Sequence, residues 1–182
     1  MKVISGSLKG RNINGFDIVG TRPTMDRVKE SIFGIIQNYV KESVVLDLFS
    51  GSGNYGIEAI SNGAKKVFFN DYNKKCVKVI KSNLDNFNIL KQSIITNLDY
   101  KKALDFYYKE GISFDLIFLD PPYKEHIIDD ILIYISNNNL LNDKGIIICE
   151  LTTNDLDNSY GNLFLIKERK YGEKQVFIYQ KQ

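Results

Sequence analysis

Five short apolar runs, each parted from the next by a helical stretch, constrain this chain more than any other feature. The runs cover residues 43–48, 66–70, 93–96, 114–119 and 144–150, and helix-period patterns fill the intervals near 54–62, 73–86, 99–109 and 125–137. Strands of that length alternating with helices predict βαβ units and a parallel sheet. Two final runs, 163–167 and 175–179, flank Tyr171-Gly172 and leave no room for a crossover helix, so they form an antiparallel hairpin. The expected fold class is α/β, a mostly parallel sheet closed by an antiparallel C-terminal pair.

Ahead of this series, residues 2–5 and 9–13 flank Gly6-Ser7 and read as a short β-hairpin carrying Lys2, Lys9 and Arg11. After Arg22-Pro23-Thr24, the positions Val28, Ile32, Ile35, Ile36 and Tyr39 recur at helical spacing, with Thr24 or Asp26 as the cap. A chain of 182 residues that is 43% hydrophobic can bury one sizeable core, and neither linker nor repeat divides it. One domain, residues 1–182, is expected, with residues 1–40 as an N-terminal hairpin and helix extension.

The net charge is only +2, from 24 basic and 22 acidic groups, so bulk charge does not identify an anionic partner. Cys76 and Cys149 fall in apolar surroundings without CxxC spacing or a secretory signal, which predicts reduced core residues in a cytoplasmic protein. No apolar run approaches the length of a membrane span. His126, the only histidine, has no partners for a metal site, and none is expected.

Residues Val44 to Gly53 form a buried strand entering a loop, Phe49-Ser50-Gly51-Ser52-Gly53, that opens a helix. Bare backbone there lets ligand atoms approach closely. Gly51, Gly53 and Gly56 also satisfy GxGxxG, and Asp71 stands where a dinucleotide enzyme keeps its ribose-binding acid. That pattern fits NAD and S-adenosyl-L-methionine alike. Asp47, an acid at the exit of the first strand, opposes a phosphate but suits a cationic amino-acid moiety, which only the second cofactor has. Asp71, ending the second strand, can accept both ribose hydroxyls, each worth ~1.5 to 3 kcal/mol. After the third strand, Asn97 and Asp99 compete for the adenine amine, with Asp99 equally suited to cap the next helix.

Asp120-Pro121-Pro122-Tyr123 directly follows the fourth strand. Two prolines fix φ and remove two N–H donors, so the Asp120 carboxylate and the Pro121 carbonyl become a rigid pair of acceptors. Tyr123 adds a flat face. An exocyclic NH2 of a nucleobase needs two acceptors and a ring, and this tetrad supplies them.

The order Asp47-x-Phe49-x-Gly51-x-Gly53, then Asp71, then Asp120 to Tyr123 resembles the amino-methyltransferases of nucleic-acid bases. Within that group the start, Val3-Ile4-Ser5-Gly6-x-x-Lys9-Gly10-Arg11, followed by Thr21-Arg22-Pro23-Thr24-x-x-Arg27-Val28-Lys29-Glu30-Ser31-Ile32-Phe33, resembles the bacterial RsmD family. The resemblance covers nearly the whole chain. It implies a Rossmann-like class I methyltransferase with a seven-stranded sheet, S-adenosyl-L-methionine as cofactor, and methylation of guanine N2 in small-subunit (16S) ribosomal RNA. It also implies a substrate-binding role for residues 1–40.

Lys9, Arg11, Arg22, Thr24 and Arg27 would then line a phosphate-binding rim. The small basic flap suggests a monomer that reads shape on an assembled or assembling small subunit. Competing readings are an N6-adenine methyltransferase on DNA or RNA, for which the same tetrad serves, a NAD-dependent oxidoreductase, and a non-catalytic RNA-binding factor.

Overall fold

Eight strands form one sheet in the computed structural model, which describes residues 1–15, 22–122, 127–152 and 156–182, the backbone alone for 22–25. The strands are β1 (Val44–Asp47), β2 (Lys66–Asn70), β3 (Ser93–Thr96), β4 (Phe114–Leu119), β5 (Leu141–Leu151), β6 (Ser159–Tyr160), β7 (Leu163–Tyr171) and β8 (Lys174–Lys181). Their order across the sheet is β3-β2-β1-β4-β5-β8-β7-β6. The first five are parallel, and the last three join antiparallel. The expected fold class holds, with the two-residue β6 as one strand beyond the seven anticipated. The hairpin of β7 and β8 is longer than the apolar runs suggested, because polar residues such as Glu168 and Arg169 also pair with β8.

The helices are α1 (Arg22–Val40), α2 (Asn54–Ser61), α3 (Lys74–Phe87), α4 (Tyr100–Lys109) and α5 (Ile127–Asn137). Alternation along the strands sorts the core into two layers. Val45, Phe69, Leu116, Phe118, Ile146 and Ile148 face Ile32, Phe33 and Ile36 of α1, Ile57 of α2, and Ile80 and Leu84 of α3. Leu46, Phe68, Ile117, Leu119, Ile147 and Cys149 face Ala103, Leu104 and Tyr107 of α4, and Ile128, Ile131 and Leu132 of α5. Each fully buried Leu, Ile or Phe contributes about 1.5–3 kcal/mol. None of the described helices is long and apolar enough to cross a membrane.

Two local expectations are corrected. Thr24 and Asp26 do not precede α1, which starts at Arg22. Pro23 explains this, since its fixed φ and missing N–H suit a first turn. The N-terminal hairpin reduces to one antiparallel bridge, Lys2 with Asn12, around a 3-10 turn at Gly6–Leu8. Its strand does not extend because the Ile4 and Ser5 amides donate to the Glu58 carboxylate of α2, at 2.9 and 2.8 Å. A carboxylate outcompetes a second strand for those donors.

Candidate functional site

The loops leaving β1, β2, β3 and β4 open on one cavity of about 400 Å³ at the carboxyl edge of the sheet. It lies at the topological switch, where β1 is flanked by β2 on one side and β4 on the other. Three aspartates line it, Asp71, Asp99 and Asp120, and no lysine, arginine or histidine side chain is among the described residues that do.

The glycine loop is pinned from three directions. The Ser50 amide donates to the Asn70 carbonyl at 2.9 Å, and the Gly53 amide to the Ser50 carbonyl at 2.7 Å. Gly53 precedes α2 with φ of 83°, in the left-handed region where glycine carries no Cβ penalty. Gly56 presses α2 onto β2, since a Cβ there would sit 2.2 Å from the Phe69 ring. Asp71 accepts from the Gly51 amide and from the Asn73 amide, both at 2.9 Å, through different oxygens. The Cys76 thiol also bonds to this carboxylate, which lines the cavity.

Asp47 is 2% exposed and lies beneath the loop instead of lining the cavity. Its Oδ2 accepts from the Gly56 amide at 3.0 Å. Burial pushes the carboxyl up to about 7, opposed by the Gly56 N–H and reinforced by the charges of Asp120 and Asp71. Asp47, expected to meet a cationic moiety, is thus set behind the cavity wall and bonded to the loop through the Gly56 amide. The strand alternation that aims Leu46 and Leu48 at one core layer turns Asp47 to the other.

Of the two adenine candidates, Asp99 reaches the cavity while also capping α4, accepting from the Lys101 amide at 3.0 Å. Asn97 is spent on backbone, donating to the Asp71 and Tyr72 carbonyls at 2.7 and 2.9 Å. Phe49, Ser50 and Ser52 line the cavity as expected, and Phe49 faces Tyr100 at 5.8 Å between ring centroids. Asp120, Pro121 and Pro122 form the opposite wall. Burial raises the Asp120 carboxyl, and the Lys174 ammonium partly lowers it. Tyr123 lies outside the described residues, as do Thr21 and His126.

The rim residues do not converge in the same way. Lys9 and Arg27 are exposed, and the side chains of Arg22 and Thr24 are not among those described. Arg11 stacks over Phe87 at 4.4 Å and donates to the Asn86 carbonyl at 2.6 Å, which ties the N-terminal segment to the end of α3.

Several lining residues escaped sequence reasoning. Cys76, expected in the core, is half-buried on the cavity wall, and burial lifts its thiol to about 11. Tyr55, Tyr72, Tyr100 and Met1 also line the cavity. Asn83 donates to the Asn14 and Ser52 carbonyls at 2.8 and 3.0 Å, joining α3 to the N-terminal segment and the loop. Its signal was an amide inside the apolar stripe of Ile80, Leu84 and Phe87.

The model of a family described as Conserved hypothetical protein 95 matches residues 1–180. YlbH of Bacillus subtilis (strain 168) is 40% identical over 182 residues, covering 100% of this chain and 99% of its own. Ribosomal RNA small subunit methyltransferase D of Haemophilus influenzae is 32% identical over 183 residues, covering 99% and 93%. Among solved structures, YhhF of Escherichia coli superposes with a TM-score of 0.87 at 25% identity, over 100% of this chain and 98% of that one.

Proposed function

Because the chain belongs to the Conserved hypothetical protein 95 family, with Ribosomal RNA small subunit methyltransferase D among its relatives, we propose that it methylates the exocyclic N2 amine of a guanine in small-subunit ribosomal RNA. Its cofactor is S-adenosyl-L-methionine. The observation that carries this reading is the acidic cavity between the glycine loop and Asp120-Pro121-Pro122, with no lysine, arginine or histidine side chain among its described lining residues. A pyrophosphate would meet Asp71 and buried Asp47 with no basic side chain from the described wall to answer it, whereas a sulfonium and an ammonium meet favourable charge. This disfavours the NAD reading.

When bound, the cofactor supplies an electrophilic methyl group. The protein's own groups do the rest. Asp71 holds the ribose hydroxyls, Asp99 stands at the adenine end, and Asp47 fixes the loop through the Gly56 amide. The Asp120 carboxylate and the Pro121 carbonyl accept hydrogen bonds from the two N–H groups of the guanine amine, aiming its lone pair. That lone pair is delocalised into the ring, so positioning matters more than a strong base, and it can supply up to ~7–11 kcal/mol of the barrier. The proton shed by the nitrogen leaves to Asp120 or to water, and the raised proton affinity of Asp120 suits it as acceptor. Tyr123 stacks on the flipped base, worth ~1–3 kcal/mol.

The substrate is RNA in an assembled or assembling small subunit, bound by a cytoplasmic monomer through the rim of Lys9, Arg11, Arg22, Thr24 and Arg27. The test is transfer of labelled methyl to ribosomal RNA from cells lacking the gene, with the product nucleoside identified by mass spectrometry. N2-methylguanosine is expected; N6-methyladenosine would transfer the assignment to the adenine reading. Asp120→Ala should abolish turnover with cofactor affinity near normal, and a variant retaining more than a few per cent of the rate, here about 5%, would remove Asp120 from the mechanism.

A further inference from the structure

On the side of the sheet covered by α1 and α2, three apolar rows end in ionisable groups. Leu116 and Phe118 on β4 lead to Asp120, Ile146 and Ile148 on β5 to Glu150, and Ile178 and Val176 on β8 to Lys174. Phe118 pairs with Ile148 and Leu119 with Cys149, so Asp120 and Glu150 take the next step of the same parallel register. Glu150 pairs in turn with Val176. Two carboxylates side by side at strand ends repel, and each resists ionisation unless a cation intervenes.

The cation is Lys174. Its ammonium is ion-paired with Glu150 Oε1, and its charge also reaches Asp120. Glu150 is 4% exposed, and its other oxygen accepts from the Tyr55 hydroxyl. Tyr55 lies flat on Phe118, two residues before Asp120, with ring centroids 5.0 Å apart and planes at 16°. It lines the cavity beside Asp120. Phe33 of α1 stacks on Phe118 as well, at 5.7 Å, so that helix offers an apolar ring at this point. Among the described residues, the titratable groups set around Asp120 are Asp47 from β1, Tyr55 from α2 and Lys174 from β8, with Glu150 from β5 on the Lys174 ammonium.

We propose that Glu150, Lys174 and Tyr55 act as positioning residues for Asp120: Glu150, clamped by Tyr55, holds the Lys174 ammonium where it keeps the Asp120 carboxylate anionic and ready to accept amine protons. This rests on the reading of Asp120 as the amine acceptor. The register thus sets a paired lysine and glutamate at the end of an otherwise apolar face, next to a tyrosine whose ring lies on that face.

The experiment reads the Asp120 carboxyl directly. In ligand-free protein labelled with carboxyl-13C aspartate, Asp120→Asn assigns the resonance and a pH titration gives its midpoint. Lys174→Met should raise that midpoint by about one pH unit or more, and Lys174→Arg should return it towards wild type. Glu150→Gln, which frees the ammonium, should raise it too. Upward shifts in both folded variants support the proposal, and a midpoint unmoved by Lys174→Met or lowered by Glu150→Gln overturns it. In methyl-transfer assays, the acidic limb of the Lys174→Met pH–rate profile should move upward with the plateau retained at high pH; a uniform loss at all pH would mark a merely structural role and overturn the proposal. If the wild type transferred no methyl to RNA, the functional reading would fail while the titration still reported on this one.

Discussion

Lys29 and Glu58 meet 2.8 Å apart, Nζ to Oε2, with neither side chain exposed. The same ammonium donates to the Lys2 carbonyl and to Asn54 Oδ1, both at 2.7 Å, while Glu58 takes the amides of Ile4 and Ser5. One buried pair therefore joins the N-terminal segment, α1 and α2, and through Asn54 it reaches the cavity wall. Burial drags the Lys29 ammonium below the usual lysine range, and Glu58 resists that.

Removing one partner leaves the other charge buried and unanswered. Lys29→Met should cost about 3–5 kcal/mol in denaturant unfolding. Adding Glu58→Gln should cost less than the sum of the two single changes, since the charge left by the first is then gone. Strict additivity would mean that the pair does not act as a unit.

Asp71→Asn should weaken S-adenosylhomocysteine binding by roughly 10- to 100-fold in calorimetry, the worth of about 1.5–3 kcal/mol of charge-assisted bonding. An amide keeps an acceptor for one of the Gly51 and Asn73 N–H groups, so the loop should survive. Unchanged affinity would sever Asp71 from the ribose.

Asp47 makes stability fall with pH. Its folded carboxyl titrates at about 7 against an ordinary value of 3.8, so between those values the folded state binds more protons than the unfolded one. The contribution is most favourable below pH ~4, declines as pH rises to ~7 and is flat above, a span of order 4 kcal/mol. Asp47→Asn should flatten that slope and leave the variant relatively more stable at pH 8 than at pH 5. Parallel unfolding curves for the two proteins at both pH values would contradict it.

Gly56→Ala should destabilise by about 1–3 kcal/mol despite the better helix propensity of alanine, because its methyl meets the buried Phe69 ring. Phe69→Leu should relieve part of that in the double variant. A neutral Gly56→Ala would show that α2 can move away from β2.

Much of the fold was legible because its signals are local. Short apolar runs and turn residues placed β1 to β5 and the closing hairpin, and the same signals put Asp71 and Asp120 at strand exits. The N-terminal hairpin forms in part, through backbone bonds of Val3, Gly10 and Ile13, and stops where Ile4 and Ser5 donate to Glu58, an acceptor far along the chain. Cys76 misled, since α3 sets it at the cavity wall while Ile80 and Leu84 of the same helix go to the core.

By itself the sequence determined the alternation of strand and helix, the glycine loop and the acidic and proline-rich exits from the strands, all of which follow from backbone sterics and periodicity within a few residues. Tertiary structure alone decided that Lys29 meets Glu58, that Asn83 clamps Ser52, that Asp47 sits beneath the loop, and that Glu150 and Lys174 gather beside Asp120. Those meetings depend on the order of strands in the sheet and the seating of helices upon it. Burial then makes each polar group find a partner, wherever along the chain that partner lies.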